Sequence, residues 1–297
     1  MYIGVNQFCF PSNYDVEEAI NSAKKIGFDS IELCFTNSNI MNKSTGVTDS
    51  LNISNYYNRL LNVDSTDKEV KLLGSIVKDI GISISSIGGI VSFSIYPLNS
   101  NVIEIADKSM DAMRKMLDFA QLLETDTVLI IPGMLTEDMD YETSYRLAQK
   151  RVAKLAEYAP NIKLAIENVW NGMLYSPLEF RNFIDEIGYD NVGVYFDIGN
   201  ARRFGWPEQW IRTLEGRIFK YHCKDYRLSV DNIFGFTNLL DGDINWPSVI
   251  STIRETGFDG DLVIELIPPA SHMIESTLFY ALTTLKELLK NNNLEGK

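Results

Sequence analysis

The chain has 297 residues, 45% of them hydrophobic and 23% charged, and a formal net charge of -13. That is ample apolar material for a buried core, and the acidic balance argues against nucleic acid, whose recognition needs a basic stripe that neutralises phosphates. No apolar run approaches the roughly 20 residues of a membrane span. Met1-Tyr2-Ile3-Gly4-Val5 leads directly into a strand-like run without a basic segment or cleavage site, which predicts a cytoplasmic protein with no membrane partner. Cys9, Cys34 and Cys223 form an odd set without CxxC spacing and read as reduced, buried thiols.

Strand-length apolar runs alternate with segments of helical period, the pattern of βα units and a parallel sheet. In chain order the predicted strands are Ile3 to Phe10, Ser30 to Phe35, Ile82 to Ile90, Thr127 to Pro132, Lys163 to Val169, Val192 to Asp197, Ile218 to Lys224 and Leu262 to Ile267. The predicted helices begin with Val16 to Ile26, capped by Asp15, and Thr66 to Ile80, stopped by Gly81. Ile103 to Leu123, Tyr141 to Tyr158, Pro177 to Ile187, Trp210 to Leu214, Trp246 to Thr256 and Ile274 to Leu289 follow, the last beginning near Ser271. Eight such units predict an α/β fold, a single (β/α)8 TIM barrel over residues 1–297. Two segments interrupt the repeat, Thr36 to Asp64 and Asp225 to Asn245. Both follow strands, so they are expected to form a lid or substrate wall on the active face, with surface decoration as the competing reading.

Four polar residues lie near the ends of apolar runs: Glu167 after Leu164-Ala165-Ile166, Asp197 after Val194-Tyr195-Phe196, His222 after Phe219-Lys220-Tyr221 and Glu265 after Leu262-Val263-Ile264. The carboxyl ends of barrel strands converge on the active site, so the four are expected to meet there around one metal ion. Convergent acids surround a cation, share a proton or meet Arg or Lys, because burying an unpaired carboxylate is costly.

Several stretches in order carry a resemblance. They are Ile166-Glu167-Asn168-Val169-Trp170, Ser176-Pro177-Leu178-Glu179-Phe180, Val194-Tyr195-Phe196-Asp197-Ile198-Gly199-Asn200, Pro207-Glu208-Gln209-Trp210, His222-Cys223-Lys224-Asp225, Asp241-Gly242-Asp243-Ile244-Asn245-Trp246 and Val263-Ile264-Glu265-Leu266. Over nearly its whole length the chain resembles the sugar phosphate isomerase/epimerase family of xylose isomerase-like barrels, including ketose and L-ribulose-5-phosphate 3-epimerase-type proteins. The resemblance implies a divalent metal held by Glu167, Asp197, His222 and Glu265. Three carboxylates and an imidazole make an oxygen-rich site that favours Mn²⁺ or Mg²⁺, with Co²⁺ or Zn²⁺ as alternatives. It also implies that Glu167 and Glu265 are catalytic. One would remove the C–H proton beside a ketose carbonyl, giving a metal-stabilised enediolate, and the other would reprotonate the opposite face.

Four further residues are read as substrate-binding. Glu32 could meet a sugar hydroxyl or pair with a cation, and Trp170 could cover a sugar face or pack in its loop. Lys224 lies on the strand face of His222 and could reach a substrate oxygen or phosphate, oriented by Asp225, with a solvated ion pair as its alternative. Asn200 stands where related non-phosphorylated ketose epimerases often carry His, which brings the chain closer to the phosphopentulose branch. Arg202 and Arg203 are candidate anion contacts, whereas His272 reads as a surface or capping residue and Cys223 as packing outward. The expected activity is metal-dependent isomerisation or epimerisation of a sugar or sugar phosphate, most simply a ketose 3-epimerase. The alternatives are a lyase or dehydratase acting on a keto-sugar or inosose, and a non-catalytic sugar-binding barrel. A multi-zinc nuclease of endonuclease IV type is excluded by a total of two histidines. A homo-oligomer is expected, with Leu278-Phe279-Tyr280-Ala281-Leu282 either at an interface or packed on the barrel.

Overall fold

The computed structural model describes residues 1–37, 58–89, 95–267 and 272–290. Eight parallel strands close into a barrel in the order β1 (Tyr2–Asn6), β10 (Asp261–Ile264), β7 (Ile218–Cys223), β6 (Val192–Asp197), β5 (Lys163–Glu167), β4 (Thr127–Ile130), β3 (Ser83–Gly89) and β2 (Ser30–Phe35), returning to β1. The pairing of β1 with β10 joins Tyr2 to Asp261 and Val5 to Ile264 and leaves no free edge. Alternation along the strands divides the apolar residues into two layers. Val194, Phe196, Tyr221, Cys223, Leu262 and Ile264 join the large core beneath the helices, whereas Leu129, Ile131, Ala165, Tyr195 and Val263 form a separate small cluster. The second set is the barrel interior.

The helices are α1 (Val16–Ile26), α2 (Asp67–Ile80), α3 (Ile103–Leu122), α4 (Tyr141–Tyr158), α5 (Pro177–Ile187), α6 (Ile198–Arg202), α7 (Pro207–Thr213), α8 (Trp246–Glu255) and α9 (Ile274–Lys290). Their boundaries follow from capping chemistry. Asp15 with Glu18 and Thr66 with Glu69 form capping boxes, and Gly27, Gly81 and Gly188 end helices in the left-handed conformation that glycine adopts without Cβ strain. Helix α9 buries Leu278, Ala281 and Leu282 against the barrel while Phe279 and Tyr280 stay exposed.

Several boundaries differ from expectation. β1 ends at Asn6, not Phe10, because the Asn6 side chain accepts from Phe8 N at 2.7 Å and starts a 3-10 turn over Gln7–Cys9. The helix expected from Trp210 starts at Pro207, and α6 was not expected at all. Asp225–Tyr226 (β8) pairs antiparallel with Phe236–Thr237 (β9), so the second insertion contains a ribbon. The Asp225 carboxylate ties that insertion down. It accepts from Tyr226 N, Leu240 N, Ile244 N and Trp246 Nε1 at 2.7 to 3.1 Å, so it anchors the loop and does not orient Lys224. Most of the first insertion, residues 38–57, lies outside the described residues, as do Ile90 and Ser271. Cys9, Cys34 and Cys223 are buried free thiols pushed up by burial, and Cys223 packs outward as expected. No described helix is long and apolar enough to cross a membrane.

Candidate metal centre

At one end of the barrel, β5 finishes on Glu167, β6 on Asp197, β7 carries His222 one residue before its end, and Glu265 follows β10. One donor atom from each lies within 4.8 Å of all the others, and all four residues are buried. His222 Nδ1 faces the carboxylates, 3.0 Å from Glu167 Oε1, 3.7 Å from Glu265 Oε2 and 3.9 Å from Asp197 Oδ2. Opposite ligands of a hard divalent ion at metal–oxygen distances of about 2.0–2.6 Å are about 4–5 Å apart, so the donor set and its span fit such an ion.

Charge makes the same point. Glu32, Glu167, Asp197 and Glu265 are buried around two cationic groups, His222 and Lys224. With the carboxylates ionised, negative charge outweighs Lys224 even if His222 is protonated, and a divalent cation would offset most of the excess. Burial pushes the Glu167 carboxyl up to about 7, with the His222 hydrogen bond and charge pulling the other way. Glu265 meets the same burial penalty, but facing His222 and Lys224 outweighs it and holds the group down at about 2. Burial raises Asp197 against the pull of Lys224. For His222, burial opposes the charged form, yet the Glu265 and Glu32 carboxylates hold the imidazole well above its usual value.

The backbone around the site is fixed by residues that sequence periodicity did not mark. Asn168 donates to Asp197 O at 2.9 Å and accepts from Asp197 N at 2.7 Å, locking β5 to β6 just where Glu167 and Asp197 emerge. Its only signal was its position beside Glu167. Asp197 Oδ1 accepts from Asn200 N at 2.7 Å and so caps α6, leaving Oδ2 for the site. A Cβ on Gly199 would lie 2.6 Å from Lys224 Cγ, so only glycine lets that lysine pass across the start of α6.

The expected substrate-binding residues are placed as follows. The Lys224 ammonium is buried and bonds both Asp197 Oδ2 and Glu265 Oε2 with the Phe236 ring beneath it, so the solvated-pair alternative does not hold. Asn200 donates its side-chain amide to Asn168 O at 2.9 Å. Trp170 donates to Asn200 O at 3.1 Å and stacks on Phe236 at 4.9 Å. Glu32 is 1% exposed and bonds His222 Nε2 at 3.1 Å. Arg203 lies over Trp170 and bonds Asp231 at 3.0 Å, and Arg202 donates to Asp243 O, so both expected anion contacts are tied to the second insertion. His272 is exposed.

Comparison with known proteins agrees with this fold. Protein MJ1311 of Methanocaldococcus jannaschii is 26% identical over 167 residues, 53% of this chain and 56% of that protein, so this chain spans just over half of that relative. L-ribulose-5-phosphate 3-epimerase UlaE of Escherichia coli (strain SMS-3-5 / SECEC) is 22% identical over 275 residues, 89% of this chain and 86% of its own. Among solved structures, a D-tagatose 3-epimerase-like protein matches with a TM-score of 0.77 at 20% identity, covering 98% of this chain and 97% of that one. The family model described as xylose isomerase-like TIM barrel matches residues 20–282. A closed eight-stranded parallel barrel matched by that model over most of its length, this chain belongs to the xylose isomerase-like TIM barrel family.

Proposed function

We propose that this protein is a metal-dependent isomerase or epimerase of a sugar or sugar phosphate, and that its reaction is ketose 3-epimerisation. The observation that carries this reading is the buried cluster of Glu167, Asp197, His222 and Glu265 at the barrel mouth, whose donor atoms lie within 4.8 Å of one another and set two glutamate carboxyls beside one candidate ion site. Two carboxyls held on one site are the groups that removal and return of a proton at carbon require. The names of UlaE and of the D-tagatose 3-epimerase-like structure support the same chemistry.

Glu167, Asp197, His222 and Glu265 would hold the ion, Mn²⁺ by preference on their oxygen-rich chemistry. Bound there, the ion supplies Lewis-acid polarisation of the ketose carbonyl and its neighbouring hydroxyl. The chain's own residues do the rest. One carboxyl of the pair would take the proton from the substrate carbon and the other would deliver a proton to the opposite face, which inverts the stereocentre. Lys224, which bonds Asp197 and Glu265 beside the candidate ion site, would offer its ammonium to a substrate oxygen that gains negative charge. Trp170, Phe236 and Tyr226 form an aromatic wall beside the mouth that can cover the apolar face of a sugar ring.

The test is to strip the protein of metal, restore it with Mn²⁺ and incubate it in D₂O with ketoses, ketose phosphates and keto-glycosides, read by NMR and mass spectrometry. Deuterium on the inverted carbon of an epimeric product is expected, and only with metal present. A product that has lost water or an alcohol replaces the isomerase reading with a lyase. Sugar binding without deuterium exchange across the panel replaces it with a binding protein.

A further inference from the structure

Asn6, Glu32 and Ser86 are neighbours in register across three adjacent strands, β1, β2 and β3. The β2–β3 pairing shifts register between Ile31 and Glu32, an irregularity that sets Glu32 opposite Ser86. Irregularities of this kind re-aim a side chain. Glu32 points across the barrel from that row to His222 on β7, and both of its oxygens are engaged. Oε1 accepts from Asn6 Nδ2 and lies 3.1 Å from His222 Nε2, while Oε2 accepts from Ser86 Oγ at 2.6 Å. Ser86 is in turn 3.3 Å from the Tyr195 hydroxyl, and the Tyr195 ring lies 4.2 Å from the His222 ring, centroid to centroid. A Cβ on Gly88 would lie 3.0 Å from Glu32 Oε1, so glycine leaves the carboxylate its space.

The two imidazole nitrogens therefore face different partners. Nδ1 faces the three carboxylates of the cluster, and Nε2 faces Glu32 alone. An imidazole bound to an ion through one nitrogen must keep its proton on the other, and a carboxylate accepting that N–H fixes the tautomer, the ring orientation and the basicity of the ligating nitrogen.

We propose that Glu32 is a positioning residue: with Asn6 and Ser86 it holds the proton of His222 on Nε2 and so presents the Nδ1 lone pair to the ion. This deepens the metal-dependent reading above and rests on it. It also assigns Glu32 a part other than substrate contact, since a side chain 1% exposed with both oxygens bonded has nothing left to offer a sugar.

The chain has two histidines, which makes the assignment directly readable. A His272→Gln background, altered at an exposed site, labelled with ¹⁵N-histidine and loaded with diamagnetic Zn²⁺, leaves one imidazole spectrum. We expect a metal-bound Nδ1, a protonated Nε2 and a downfield, slowly exchanging Nε2 proton. Glu32→Gln should weaken Zn²⁺ binding about 10–100-fold by competition with a chelating dye, and should speed exchange of that proton and move it upfield. Ser86→Ala, which frees one Glu32 oxygen, should act in the same direction by about threefold or more and decides the matter if Glu32→Gln does not fold. Circular dichroism confirms the fold of each variant. Zn²⁺ bound through Nε2, or unchanged affinity and an unchanged Nε2 proton in the folded variants, overturns the assignment while leaving the metal site standing. No Zn²⁺ binding by the wild-type protein overturns the metal reading and this inference together.

Discussion

Strand β7 and the residue that follows it set Lys220, His222 and Lys224 on one face, and the two lysines lie at opposite ends of the barrel in very different company. At the amino-terminal end Lys220 pairs with Asp261, which also accepts from Ser30 Oγ at 3.0 Å, so one cation meets one anion and the account closes. At the carboxyl end Lys224 meets Asp197 and Glu265, with Glu167 and Glu32 nearby across His222, and negative charge is left over. A balanced buried pair needs no further charge, whereas buried excess charge of one sign calls for something from outside. Residues of the barrel's lower rim commonly serve stability and those at its upper rim commonly serve chemistry, and here the contrast is drawn along a single strand.

The largest expected effect comes from removing a carboxylate from the unbalanced end. Glu265→Gln should leave the fold intact and lower turnover by about 10²–10⁴-fold, the range of a positioned proton-transfer group; near-native turnover with metal bound would reject its role. Next come the lysines. Lys224→Met leaves two buried carboxylates facing each other and should cost the metal-free protein about 3–5 kcal/mol. Lys220→Met exposes only the partly accessible Asp261 and should cost about 1–3 kcal/mol. Added Mn²⁺ should raise the Tm of Lys224→Met more than that of wild type and leave the deficit of Lys220→Met unchanged; equal responses would erase the distinction between the two ends.

Protons offer a gentler probe. Because the raised Glu167 value of about 7 keeps a proton on the metal-free site, an ion must displace it, and affinity should fall by up to about tenfold per pH unit as pH drops below about 7. Calorimetry in buffers of different ionisation enthalpy measures the proton released. In the metal-free protein, the Glu167 contribution to stability is fully present below the ordinary value of 4.5 and is lost as pH rises through about 7. That of Glu265 runs the other way, present above 4.5 and lost as pH falls through about 2. The smallest effects separate two glycines. Gly199→Ala collides with Lys224 and should cost about 1–3 kcal/mol and disturb metal binding. Gly188→Ala, in a left-handed turn with open space around it, should cost about 1–2 kcal/mol by chemical denaturation and leave metal binding alone.

Local signals carried much of this structure. Strands β2 and β6 fall at the residues that alternation and apolar runs indicate, and Asp15 and Gly81 bound their helices as capping chemistry requires. The polar residues closing β5 and β6, together with His222 and Glu265, do converge. What escaped depends on contacts distant in sequence or on elements too short to have a period. The five-residue α6 starts after Asp197, a candidate ligand that doubles as its cap, and nothing periodic marks it. Asn168 bonds a backbone 29 residues away. The partner of Glu32 is 190 residues away, so its side chain could be placed near the mouth but not aimed. Asp225 looked like a companion of Lys224 because they are adjacent, yet successive strand residues point to opposite sides and Asp225 turned to the loop.

The pairing of β1 with β10 has a temporal side. Asn6 steadies Glu32 from the first strand and Glu265 arrives with the last, so the cluster and the closing seam of the barrel depend on the same long-range event. Contacts so far apart along the chain close slowly, because their loop entropy is spent before any contact returns it. During synthesis an ion can find at most part of its cage until the eighth barrel strand docks. Metal capture should therefore report completed folding, and a stalled or truncated chain should be marked by its failure to hold the ion.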